Sequence, residues 1–123
     1  MQAPFTRITA TPDGGSRFAD DVVGLEDGDF APPAPPLGLG PVAGSRSVRF
    51  IGAPAGWDSP PHPAPARQWV VMIQGNVEAT TTDGEVRRFG PGAAVFLEDT
   101  SGVGHRTRVV GDEPWLAIVV VLA

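Results

Sequence analysis

The sequence contains no cysteine, no tyrosine and no lysine. Without cysteine there can be no disulfide, thiolate metal ligand or thiol nucleophile. The other two absences remove the lysine Schiff base and the phenolic acid. Helical periodicity is missing as well: no window repeats its apolar residues at helical spacing. No apolar run approaches the roughly 18–20 residues that cross a bilayer. The opening "MQAPFTRITATPDGG" lacks the cationic segment and apolar stretch of a secretory signal. There is no basic stripe either, and the formal net charge is −5. A chain of that sign repels phosphate backbones. The expectation is a cytoplasmic protein with neither membrane nor nucleic acid as partner. Its chemistry rests on two histidines, carboxylates, nine arginines, amides and hydroxyls.

What is present suits one domain. A chain of 123 residues, 41% of them hydrophobic, can bury a real core and is too short for two. Residues 1–47 read as an N-terminal arm and a Pro/Gly-rich loop, because "FAPPAPPLGLGPVAG" favours extended, polyproline-like backbone. Residues 48–123 read as the folded barrel, with "SRSVRFIGA" as a short strand leading into it. From Arg67 onward the pattern is β throughout: "RQWVVMI", "VEATTT", "EVRRF", "AAVFLE", "HRTRVV" and "WLAIVVVLA". Gly, Pro and Asp punctuate these runs, and the Asp-Gly at 83–84 predicts a hairpin with positive φ at both turn residues. Such spacing specifies an all-β barrel or sandwich.

Strand parity locates the candidate chemistry. His62, Gln68, Val70 and Met72 share one parity and Trp69 and Val71 the other. If the first set faces inward, His62 and Gln68 meet in one cavity floored by Val70 and Met72. His105, opening a later strand, can reach the same cavity.

These residues resemble the two motifs of a small single-domain cupin, over roughly Val48 to Val121. The first motif has a histidine, a second histidine two residues on, an acid or amide further along and a closing glycine. His62, Gln68 and Gly75 match it, while Ala64 stands where the second histidine belongs. The second motif is matched by Pro91, Gly92, Gly102 and His105. Gln68 in the acid position is locally similar to the manganese-dependent cupin hydroxynitrile lyases.

The resemblance implies a double-stranded β-helix, or jelly-roll barrel, with an extended Pro-rich N-terminal arm. It also implies a metal site of His62, Gln68 and His105 for a divalent transition metal (Mn, Fe, Ni, Co or Zn), with both histidines as catalytic residues. Two imidazoles and a neutral amide form a depleted ligand set, weaker than a four-ligand one and with more positions open to substrate. The expected function is an enzyme acting on a small organic molecule, of lyase, isomerase, dehydratase or dioxygenase type. The alternatives are a metal-free ligand-binding or sensor module, and a metal-free enzyme with a histidine base. Asp99 and Glu98 read as turn formers, and the three tryptophans as core or interface rather than substrate stackers. The apolar "WLAIVVVLA" should lie within the sheet or at the contact of a homodimer.

Overall fold

The structure, a computed structural model, describes residues 1–123. It has eleven strands and no helix: β1 (Gln2–Ala10), β2 (Ser16–Gly24), β3 (Glu26–Gly28), β4 (Leu37–Leu39), β5 (Ser45–Ala53), β6 (Gln68–Gln74), β7 (Asn76–Thr80), β8 (Val86–Phe89), β9 (Ala94–Leu97), β10 (Arg106–Val110) and β11 (Trp115–Leu122). With no helix at all, none is long and apolar enough to cross a membrane.

Two sheets build the barrel. One has six strands in the order β2-β1-β9-β6-β11-β5, and the other has three in the order β10-β7-β8. This is the all-β jelly-roll architecture expected from the sequence. Alternation decides which side chains enter it: along β6, Gln68, Val70 and Met72 are buried, while Val71 and Ile73 are exposed. The core lies between the sheets, where Ile8, Val70, Val77, Val95, Val109 and Val119 pack together.

The N-terminal segment differs from the extended arm expected. β1 and β2 pair along their full lengths, and β1 runs parallel to β9 from Thr6↔Val95 to Ile8↔Leu97. Ile8 and Phe18 enter the core. Only the proline tract beyond Gly28 keeps the expected loop character, interrupted by the small β3–β4 pair. The reason is two-sided burial: Ile8 in β1, with Ser16 and Phe18 alternating in β2, faces the core, while Phe5 points to the opposite face and packs against Trp69.

The turn at 81–84 also departs from expectation. Only Gly84 takes positive φ, and no residue other than glycine does so. Gly84 N donates to Thr81 O and Thr81 N to Glu85 O, while the Asp83 carboxylate accepts from Thr81 Oγ1 and Glu85 N. The side chain thus organises a type I turn closed by one left-handed glycine, the three-residue hairpin form. The turn joining β1 to β2 repeats it. Thr11 N donates to Gly15 O, Gly14 N to Thr11 O, and the Asp13 carboxylate accepts from Thr11 Oγ1 and Gly15 N.

β11 lies inside the six-stranded sheet, between β6 and β5. Trp115, Ala117 and Val119 are buried on its inner face.

Candidate functional site

The segment from Trp57 to His62 lies antiparallel to β10 and extends the smaller sheet. Ser59 N donates to Thr107 O and Val109 N to Trp57 O, while His62 and His105 exchange both backbone hydrogen bonds, at 3.0 and 3.1 Å. It is not a regular strand because Pro60, Pro61 and Pro63 have no N–H to give a ladder. Arg106 clamps the same segment, its guanidinium donating to both carboxylate oxygens of Asp58.

That backbone pairing brings the two imidazoles together, with ring centroids 5.5 Å apart. The parity count that set His62 on the Gln68 face does not apply, since strand β6 begins only at Gln68; backbone pairing with His105 places His62 instead. Gly104 permits the contact. Its φ is positive, and a Cβ there would overlap the His62 carbonyl, so no other residue fits without moving the loop.

His62, Gln68 and His105 line one cavity of about 170 Å³, together with Val70 and Met72. His62 is exposed and sits at the mouth, whereas Gln68 and His105 are buried. Ala64, where a second histidine of the first motif would stand, is buried in the same wall. Trp57 at the rim and Trp115 inside also line the cavity. Trp69 is elsewhere, on the outer face between Phe5 and Phe96, at 4.8 and 4.7 Å.

Each imidazole has its Nδ1 engaged. His62 Nδ1 lies 3.0 Å from the Pro60 carbonyl, which can only accept, so this nitrogen carries the proton. His105 Nδ1 donates to Asp99 Oδ2 at 2.6 Å, inside the protein. Both Nε2 atoms are then lone-pair donors. Asp99 is the residue that sequence reasoning missed. Read from the sequence as a turn former, it is 0% exposed and holds the His105 ring, and its Oδ1 has no hydrogen-bond partner. Its spacing in "LEDTSGVGH", six residues before His105, was the available signal.

No three histidine, aspartate or glutamate side chains cluster to hold a metal. The donors that could hold one are His62 and His105 through Nε2, with the Gln68 amide oxygen. Histidines that ligate metals characteristically donate their other N–H to a carboxylate or backbone carbonyl. Both imidazoles here do so, and in that respect the donor set fits a divalent transition metal.

Comparison with known proteins agrees with this fold. The family described as "Cupin domain" matches residues 49–121, more than half of the chain. A search of curated proteins finds no match. Among solved structures, the cupin domain of Cnp3 from Schizosaccharomyces pombe is similar at 13% identity and a TM-score of 0.53, over 99% of this chain and 84% of that one. A conserved protein of unknown function from Streptococcus pyogenes is similar at 20% identity, TM-score 0.44, over 61% of each chain. This chain therefore spans less than two thirds of that protein's length. A protein from Neisseria meningitidis is similar at 12% identity, TM-score 0.47, over 62% of this chain and 72% of that one. By the family match over residues 49–121, on a barrel built as that family's fold requires, the chain belongs to the cupin domain family.

Proposed function

We propose that this cupin is an enzyme acting on a small organic molecule in the barrel, with His62 and His105 as its reacting pair. One observation carries the proposal: two imidazoles share a cavity, and each has Nδ1 tied to an acceptor, so that both Nε2 atoms are free to act. His62, His105 and Gln68 would hold a divalent transition metal, which would supply Lewis-acid polarisation of a substrate oxygen. Asp99 holds the His105 ring and its tautomer, while the Pro60 carbonyl does the same for His62. The apolar walls exclude water from the buried part of a substrate. Gln68 keeps the local resemblance to the manganese hydroxynitrile lyases, so Mn is the first ion to test.

Metal content and metal titration of untagged protein test this proposal. One ion bound per chain is expected, lost on His62→Ala or His105→Ala with the fold intact, and only weakened by Gln68→Ala. Metal that stays substoichiometric after adding Mn, Fe, Ni, Co and Zn overturns it. A metal-free ligand-binding module is the second reading, favoured by Ala64 in the wall and by the absence of any carboxylate among the lining residues.

We also propose a homodimer formed through the outer face of β5, β11 and β6. Phe50 is 74% and Val48 62% exposed there, on a strand whose far edge is unpaired. Phe50 stands beside Ile118 and Ile118 beside Val71, with Val48 beside Val120. These side chains carry no charge in a molecule of net charge −5, so two copies meet here without the repulsion that separates them elsewhere. Sedimentation should show a dimer that Phe50→Glu dissociates; a monomer at every accessible concentration overturns it.

A further inference from the structure

We infer that the cavity, in its metal-free state, takes a neutral, single-ring molecule, inserted ring-first, with one hydroxyl group held at the level of the two imidazoles. This names the ligand class of the site proposed above and rests on that reading for the hydroxyl's partners.

Size is the first constraint. A cavity of about 170 Å³ slightly exceeds the roughly 150 Å³ that admits benzene. It is well below the roughly 300 Å³ at which drug-sized ligands begin. One ring fills it, and a second fused ring would have to project through the open mouth.

Charge is the second. No arginine, aspartate or glutamate lines the cavity, so in the metal-free protein a carboxylate or phosphate would be buried without a counter-ion. The Asp99 carboxylate behind His105 adds to the repulsion.

Polarity and its placement are the third. The polar side chains in the wall are His62, Gln68, His105 and Thr107, with the Trp115 indole as a further donor. That indole N–H is directed at Met72 Sδ, 3.3 Å away. A sugar would leave most of its hydroxyls against Val and Ile side chains, each unpaired and costly. Exposure gives the direction of insertion. Trp57 and His62 are exposed, His105 is 5% exposed, and Ile8 and Val77 are 1% exposed. The imidazoles therefore stand on the mouth side of the apolar floor, and the ring lies beyond them. In the metal-free site both Nδ1–H groups are already used, so each Nε2 accepts rather than donates. The matching ligand group is a donor, so a hydroxyl is favoured over an ether or ketone.

The test uses the full chain, as purified and after chelator treatment, titrated with phenol, benzene, benzoate and glucose. Methyl NMR signals of Val70, Val77 and Val95 report on the floor, and metal content is measured on the same samples. Phenol is expected to shift those methyls and to bind roughly fivefold tighter than benzene, the worth of one net hydrogen bond. His105→Ala should abolish that difference. Ala79→Met, which fills the floor, should remove binding of both rings, and Ala79→Val should weaken it if methionine prevents folding. In chelator-treated protein, benzoate or glucose binding more tightly than phenol overturns the inference, as does wild-type protein that binds neither phenol nor benzene. Phenol binding to protein that never takes up metal overturns the metal proposal alone. Metal uptake without phenol binding overturns the ligand class alone.

Discussion

Asp99 keeps an unpaired carboxylate oxygen away from water. A buried polar atom without a partner costs about 1–3 kcal/mol, more when charged. Its other oxygen fixes the Nδ1 proton of His105, 2.6 Å away. A neutral amide of the same shape separates this orienting role from mere packing. Asp99→Asn should leave the barrel folded but allow the amide N–H to donate to Nδ1, which moves the imidazole proton to Nε2. Metal affinity should then fall about 10–100-fold, as for other outer-shell partners. Nitrogen NMR shifts of His105 should report the changed tautomer. Unchanged affinity with the tautomer reversed would remove Asp99 from the site.

At the scale of elements, the segment beside β10 holds His62 in place, and Asp58 ties it down. The Arg106 guanidinium hydrogen-bonded to Asp58 holds this carboxyl below the ordinary aspartate range. A carboxyl whose folded value is depressed stabilises the fold above its unfolded value, about 3.9, and that contribution is lost as pH falls through the folded value. Amide protection from Trp57 to His62, relative to the intrinsic exchange rate at each pH, should accordingly fall below about pH 4, and at neutral pH in Asp58→Asn. Equal protection at both pH values would show that the backbone pairing suffices. Much of this scale was legible in the sequence. The strand at Ser45–Ala53 and the six after Arg67 follow from alternation and turn residues, and the depleted motif pointed to one cavity for His62, Gln68 and His105. The β1–β2 hairpin was hidden by the prolines and acidic residues around it. Its signal was present nonetheless: "TPDG" at 11–14 repeats the Thr-x-Asp-Gly of "TTDG" at 81–84, and the same side-chain bonds close both turns. The spacing of Asp99 to His105 was visible, but its burial was not, because that depends on the fold of the whole 98–105 loop rather than on local composition.

For the molecule as a whole, the family match begins at residue 49, yet the site depends on residues far upstream. Ser16 Oγ donates to the Gly104 carbonyl at 2.6 Å, and Val103 N donates to Gly14 O at 2.9 Å. The β1–β2 turn thus holds the loop that presents His105. Ser16 N also donates to Thr82 Oγ1, joining the two similar turns across the barrel. Ile8 lines the cavity itself, and Glu98 N, next to Asp99, donates to Ile8 O at 2.8 Å. Removing residues 1–24 would expose the β9 edge that β1 covers and would take Ile8 and Phe18 from the core. Loss of that buried apolar surface, with no replacement, should abolish the cooperative thermal transition. The milder change Ser16→Ala removes the bond donated to the Gly104 carbonyl and the longer one accepted from Thr82 N, and should cost about 1–3 kcal/mol. That variant should remain folded, with exchange quickening first at Val103, Gly104 and His105. A 25–123 fragment that melts as the whole chain does would show that the N-terminal hairpin only decorates the barrel, and the support assigned to the His105 loop would then have to come from β7 and β10 alone.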